Sequence, residues 1–174
     1  MNPKYKNIVF LDVDGCLTSM EDHTSYLNCG DEENYGISGM CLDLLKNLIE
    51  EHDCGVVISS NWRLLEASGR EFWEYKGVKY KNHLPQLREI FGERYCGTIP
   101  CERHCTKAEC LIMWFEDHED WKGNYVVFDD DLDENFHLTT DHGIRNHFVK
   151  CDERYGINLK NIEEANQILK GDIQ

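Results

Sequence analysis

Three short apolar runs in this chain each end in side chains that carry oxygen. The runs cover residues 8–13, 56–58 and 125–128, and each has the length of one buried strand. The polar residues are Asp12 and Asp14 at the end of the first run, Ser59, Ser60 and Asn61 after the second, and Asp129, Asp130 and Asp131 after the third. If the three runs pair side by side and in parallel, these polar groups meet at one edge of the sheet.

Helical patterns separate the runs. The other predicted elements are a helix at 41–51 that ends before Gly55, mostly helical sequence at 64–95 with a loop or hairpin at 77–81, a helix that starts after Thr106, a strand at 147–151 and a helix at 162–169. Strands that alternate with helices indicate an α/β fold with a doubly wound parallel sheet. Because ligands of such sheets bind at the carboxyl ends of the strands, the polar edge is the expected functional site.

The composition indicates one folded domain over residues 1–174, with a hydrophobic fraction of 41% that excludes a disordered chain. The 33 acidic and 18 basic residues give a net charge of −15, which disfavours loose binding to DNA, RNA or an anionic membrane. The apolar stretch near the amino end, 8–11, is shorter than a signal peptide or a membrane span requires. We therefore expect a cytoplasmic protein.

Nine cysteines are present, and without an export signal we expect free thiols. One group tests this expectation because four cysteines and a histidine lie close together in the sequence. They are Cys96, Cys101, His104, Cys105 and Cys110. Their intervals are wider than the CxxC pairs of structural zinc sites, so packed thiols are favoured and a zinc site is the alternative.

Asp12 and Asp14 form the most informative pair. Two carboxylates this close after a buried strand repel each other and lose hydration, and a bound Mg²⁺ relieves both effects. Asp12 then has the character of a nucleophile for phosphorus, and Asp14 that of a general acid and base. Gly15 permits a sharp turn that brings backbone close to a phosphate. The alternative interpretation is a strand-ending turn that the Asp side chains cap.

The sequence from Phe10 to Thr18 resembles the first motif of the haloacid dehalogenase (HAD) superfamily, whose fold is a doubly wound, Rossmann-like α/β core. Counterparts of the other three motifs follow in the expected order, and the resemblance covers about residues 7–170. In the second motif, Ser60 is the counterpart of the phosphoryl-binding residue, with Ser59 as the alternative and Asn61 next to it. In the third, Lys107 is the lysine that offsets charge on Asp12. In the fourth, Asp130 and Asp129 are the metal ligands, with Asp131 acting through water.

The resemblance implies a Mg²⁺-dependent phosphatase that works through an aspartyl-phosphate, with Asp12, Asp14, Ser60 and Lys107 as catalytic residues and Asp12, Asp14, Asp129 and Asp130 around the metal. Asp14 distinguishes this chain from the superfamily's transport ATPases and dehalogenases, which lack an acid at that position. Lys107 has the alternative of an ordinary surface lysine. Arg63 either grips a second phosphate or carboxylate of the substrate or pairs locally, and Trp62 either stacks on a base or caps the core.

Within the superfamily, the chain resembles small, minimally capped HAD domains that also occur in multidomain, Swiss Army Knife RNA repair proteins. In the superfamily, an open site of this kind often goes with large or polymeric substrates, which implies the terminal phosphate of a nucleic acid. A small phosphometabolite or a nucleotide is the alternative substrate. The net charge of −15 argues against a long nucleic-acid groove. The alternative function is a noncatalytic HAD module that binds metal or a partner protein, although Asp14 has no purpose in such a module.

Overall fold

A five-stranded parallel sheet forms the centre of the protein. The computed structural model describes residues 4–18, 36–70, 72–75, 78–100, 104–131 and 143–171. The strands of the main sheet are β1 (Asn7–Leu11), β2 (Cys54–Ile58), β5 (Tyr95–Thr98), β6 (Tyr125–Asp129) and β7 (Phe148–Lys150). Their order is β5-β2-β1-β6-β7, and every neighbouring pair is parallel. The predicted α/β fold with a parallel sheet is therefore confirmed.

Five α-helices and a small hairpin surround the sheet in the described part of the chain. The helices are α1 (Gly39–Glu51), α2 (Trp62–Ala67), α3 (Leu84–Phe91), α4 (Lys107–Asp117) and α5 (Leu159–Lys170). The hairpin consists of the antiparallel strands β3 (Phe72–Tyr75) and β4 (Val78–Lys81), between α2 and α3. Among the described residues, no helix combines the length and the hydropathy that a membrane crossing needs.

The two faces of the sheet receive alternate residues of each central strand. Val9 and Leu11 pack with α1 and α5 on one face, which α2 and α3 also join. Ile8 and Phe10 pack with α4 on the other face, where the ring of Phe10 meets that of Trp114 edge-on at 4.9 Å. Because side chains alternate along a strand, residue 12 continues the row that faces α4.

The predicted helices at 41–51, after Thr106 and at 162–169 are confirmed, but the mostly helical assignment of 64–95 is wrong. That region contains two short helices, the hairpin, and the start of β5 at its end. The pattern missed β5 because it is a half-buried edge strand of four residues, and Gly97 within it has a positive φ of 107°.

Gly55 lies beyond the end of the first helix, as expected, but it does not form the turn that follows the helix. Asp53 takes the left-handed turn after the helix, with φ of 48°, and Gly55 lies inside β2. A Cβ at Gly55 would lie 2.6 Å from the Cys96 sulfur and 2.7 Å from a ring carbon of Tyr5. This glycine therefore serves close packing within the sheet.

Candidate active site

Asp12, Ser59 and Asp129 form one row across the carboxyl edge of the sheet. The end of β1 is in register with the end of β2 and with Phe128 of β6, so the residues that follow are neighbours. The ladder continues into this row, since the Asp12 N–H donates to the Phe128 carbonyl at 3.0 Å and the Ser59 N–H to the Leu11 carbonyl at 2.8 Å. Two positions earlier in each strand the side chain packs against α4. All three side chains of the row therefore extend towards α4.

Helix α4 brings Lys107 into this row. Thr106 and Glu109 form a capping box, in which each side chain accepts a hydrogen bond from the other's backbone N–H, and this fixes the start of the helix. The Lys107 Nζ lies 2.6 Å from an Asp12 oxygen and 2.6 Å from an Asp129 oxygen. Burial lowers the pKa of Lys107, but the charges of Asp12 and Asp129 outweigh it and raise the pKa above its usual value.

Three carboxylates surround this single ammonium group. Asp12, Asp129 and Asp130 each offer an oxygen within 4.8 Å of the others. Burial and the charge of Asp12 raise the pKa of Asp129 to about 7 and that of Asp130 to about 6. Burial is the larger cause of both Asp shifts, and the negative charge of Asp12 adds to it. Such a cluster of hard oxygen donors suits Mg²⁺.

Gly15 lets Asp130 approach the first loop. Its φ is +69°, and a Cβ at this position would lie 2.3 Å from the Asp130 carboxyl carbon. The loop turns tightly here, since the N–H groups of Leu17 and Thr18 both donate to the Val13 carbonyl at 2.8 and 3.0 Å. Gly15 therefore supports the acidic cluster directly, whereas the sequence suggested a contact with phosphate.

Asp14 lies at the mouth of the site, exposed to solvent, and is not one of the three clustered carboxylates. Burial of its carboxyl end and the charge of Asp12 raise its pKa. Solvent screens part of this effect at an exposed side chain. Trp62 is close enough to favour the ionised form, although its buried indole N–H does not reach hydrogen-bond geometry with any described residue. A raised pKa suits a group that gives and takes protons near neutral pH.

The second loop separates its two serines. The Ser59 Oγ is fully buried in the row and forms no hydrogen bond with a described residue, whereas the Ser60 Oγ accepts one from the Trp62 backbone N–H at 3.3 Å. The Arg63 side chain is buried, and its Nη1 donates to the carbonyls of Ser59 and Ser60 and to the Asn61 side-chain oxygen. The side chains of Arg63 and Asn61 therefore support the loop, which agrees with the local pairing that the sequence analysis offered for Arg63.

A cleft of about 760 Å³ opens beside Asp130. Its described lining contains residues that the sequence analysis did not single out, from the end of β7, the following turn and the start of α5. The lining comprises Asp130, Asp131, Lys150, Cys151, Asp152, Glu153 and Lys160. No motif marked Lys150 or Lys160, because only the pairing of β7 beside β6 brings them to this edge.

The cysteines in the described part of the chain form no disulfide with one another, and the described part of the suspected zinc group is dispersed. Cys96 lies in β5 and packs against Gly55, whereas Cys110 lies in α4 and its sulfur accepts a hydrogen bond from Arg63 at 3.6 Å. Cys101 lies outside the described residues. Within the described residues, the only set of potential metal ligands that converges is the acidic one.

The family comparison agrees with this geometry. A family model described as the HAD domain in Swiss Army Knife RNA repair proteins matches residues 8–162. No curated protein and no solved structure matches the chain significantly. The matched region runs from the first strand into α5 and includes every residue of the row, the acidic cluster and Lys107. The chain therefore belongs to the family of HAD domains found in Swiss Army Knife RNA repair proteins.

Proposed function

We propose that this protein is a Mg²⁺-dependent phosphatase that cleaves a phosphomonoester through an aspartyl-phosphate on Asp12. Family membership supports a phosphohydrolase type of function. The observation that carries the finer proposal is the row itself: Lys107 bridges Asp12 and Asp129 at 2.6 Å, and beside them lies the Ser59 hydroxyl, which has no partner among the described residues. This arrangement offers a nucleophile, a cation and a hydrogen-bond donor to one phosphoryl group.

Asp12, Asp129 and Asp130 are the residues that would hold the metal. Their oxygens converge, and burial together with the charge of Asp12 raises the pKa values of Asp129 and Asp130, so a cation would stabilise their ionised forms. When bound, Mg²⁺ would offset charge on the phosphoryl oxygens. Mn²⁺ and Co²⁺ have the same preference for such oxygen ligands, so the choice among them is a matter for measurement.

Asp12 attacks phosphorus in the first step. The Val13 N–H donates to one carboxylate oxygen at 2.8 Å and Lys107 to the other at 2.6 Å, which fixes the orientation of the group. A bond forms between Asp12 and phosphorus while the ester bond breaks, and Asp14 gives its proton to the departing oxygen. Ser59 donates its hydroxyl proton in a hydrogen bond to a phosphoryl oxygen.

Water completes the reaction in the second step. Asp14, now ionised, takes a proton from the water that attacks phosphorus, and the bond between phosphorus and Asp12 breaks to release phosphate. The raised pKa of Asp14 supports this double role because it lets the group exist in both forms near neutral pH. A noncatalytic module would have no use for this residue.

The substrate proposal covers two sources of the same group, a small phosphometabolite or nucleotide and the terminal phosphate of a nucleic acid. The family's occurrence in RNA repair proteins favours a nucleic-acid end. The net charge of −15 favours a short contact, because a long groove would repel the phosphate backbone. Rates on a 3′-phosphorylated oligonucleotide and on a panel of phosphorylated metabolites would distinguish the two.

Hydrolysis of an aryl phosphate with Mg²⁺ tests the proposal, with Asp12→Asn as the variant. We expect chelator-sensitive turnover in the native protein and its loss in the variant, because the amide has the same shape but is not a nucleophile. Asp117→Asn, at the exposed end of α4, is the control and should keep full activity. Equal turnover in Asp12→Asn would overturn the proposal, and Mg²⁺ binding without any turnover would favour the noncatalytic module.

A further inference from the structure

The guanidinium of Arg63 connects three segments of the site. Its Nη1 donates to the carbonyls of Ser59 at 3.0 Å and Ser60 at 2.9 Å. Its Nε donates to the Pro100 carbonyl at 3.2 Å, and its Nη2 to the Cys110 sulfur at 3.6 Å. The second loop, the segment after β5 and helix α4 therefore share one buried cation. Arginine suits this place because its donors form a rigid planar fork.

The two carbonyls on Nη1 fix the direction of two peptide planes. In a trans peptide the C=O of one residue and the N–H of the next point in opposite directions. The described peptides contain no cis bond. Since the carbonyls of Ser59 and Ser60 both face Arg63, the N–H groups of Ser60 and Asn61 both point away from it. Neither N–H donates to another described residue.

The sheet order shows on which side of the second loop Arg63 lies. Pro100 follows β5, and β5 lies on the opposite side of β2 from β1. Arg63 thus lies between the loop and the segment after β5, and the N–H groups of Ser60 and Asn61 point away from that segment. The hydroxyl of Ser59, which has no partner in the described structure, lies in the same row as Asp12.

We propose that Arg63 is a positioning residue, which holds the second loop so that the N–H groups of Ser60 and Asn61 join the Ser59 hydroxyl in binding the phosphoryl oxygens. Through the Cys110 sulfur it also fixes this loop relative to α4, where Cys110 lies three residues after Lys107. The inference rests on the proposed phosphatase function and deepens it. Arg63 itself does not touch the substrate.

Amide NMR spectra of the native protein with Mg²⁺ test the direction of the two N–H groups. Added inorganic phosphate should shift the signals of Ser60 and Asn61 strongly, and that of Leu64 weakly because its N–H is already bonded to the Asn61 carbonyl at 2.9 Å. Phosphate-dependent shifts around Lys107 with none at Ser60 or Asn61 would overturn this inference alone. A spectrum that does not respond to phosphate at all would count against the proposed function itself.

Arg63→Lys and Arg63→Met test the role of the fork. We expect phosphate, measured as a competitive inhibitor, to bind at least about tenfold more weakly to both variants, since two donors lose their orientation. Mg²⁺ affinity should stay within about twofold of the native value, because Asp12, Asp129 and Asp130 are untouched.

Arg94→Met is the matched control, since Arg94 donates to the Cys54 carbonyl at 2.9 Å at the opposite end of β2. It should change neither affinity. Native phosphate affinity in a folded Arg63→Met would overturn the inference, as would an equal loss of phosphate and Mg²⁺ affinity, which would indicate general distortion. If both Arg63 variants fail to fold, the shifts of Ser60 and Asn61 in the native protein decide the question.

Discussion

The loop after β1 and the loop after β2 lie side by side at the sheet edge, yet they present different chemistry. The first, residues 12–15, carries charge in its side chains and holds Asp130 close through Gly15. The second, residues 59–63, presents a hydroxyl and backbone N–H groups, and its one charged side chain, Arg63, is buried among carbonyls. The first loop acts through the identity of its residues, whereas the second acts through the direction of its peptide planes.

This difference determines how each loop responds to substitution. Replacing a carboxylate in the first loop removes a chemical group that no neighbour supplies. Replacing a side chain in the second loop leaves the backbone donors present and disturbs only their placement. We therefore expect substitutions in the first loop to have the larger effect on kcat, and substitutions in the second loop to have the larger effect on phosphate affinity.

Asp14→Asn should give the largest effect among these tests. Loss of the Asp14 carboxylic acid should lower kcat on an alkyl phosphate by about 10²–10⁴-fold, the usual contribution of general acid–base catalysis. The loss on an aryl phosphate should be smaller, because a phenolate departs without full protonation. Rates on both substrates measure the difference, and an equal loss on both would remove Asp14 from the role of proton donor.

Ser59→Ala and Ser60→Ala compare two neighbours within the second loop. Ser59→Ala should lower kcat/KM by about 10–10²-fold, because it removes a hydrogen-bond donor to the charged phosphoryl group. Ser60→Ala should cost less than about fivefold, since the strand register places Ser59 and not Ser60 in the row with Asp12. Steady-state kinetics at saturating Mg²⁺ give both values, and the reverse ranking would restore Ser60 as the phosphate ligand.

Gly15→Ala should destabilise the protein and weaken the metal site. The new Cβ would overlap Asp130 and the residue would keep a positive φ, for a combined cost of about 2–4 kcal/mol. Gly69→Ala is the matched control, because Gly69 has φ of +67° with nothing within 4 Å of its Cβ position. It should cost about 1 kcal/mol, as backbone strain alone does. Denaturant unfolding with and without Mg²⁺ would show whether the two glycines differ as expected.

The smallest expected effect is on the pH dependence of stability, through the acidic cluster that Gly15 of the first loop contacts. In metal-free protein, Asp129 and Asp130 have raised pKa values of about 7 and 6, against 3.8 for an ordinary Asp. The folded state then binds more protons than the unfolded state between about pH 4 and 7, so stability falls as pH rises through that window. Mg²⁺ should therefore raise Tm more at pH 7.5 than at pH 5, and an equal shift at both would contradict the proposed ligands.

Sequence patterns predicted the acidic residues and Lys107 of the site well and the second loop poorly. Asp12, Lys107 and Asp129 are charged, they follow strands or begin a helix, and the structure brings them together as expected. The choice between Ser59 and Ser60 depends on strand register and alternation, which a run of three apolar residues does not determine. The inward direction of Arg63 depends on Pro100 and Cys110, which are distant in sequence. The edge strand β5 was missed for the same reason, since its pairing with β2 defines it.

The phosphoenzyme itself tests the central claim most directly. Acid quenching during turnover of a radiolabelled aryl phosphate, followed by peptide mapping, would locate any covalent phosphoryl group. We predict the label on Asp12, stable in acid and released by hydroxylamine, as an acyl phosphate is, and absent from Asp12→Asn. Turnover with label on another residue, or with none while Asp12→Asn stays active, would contradict the account.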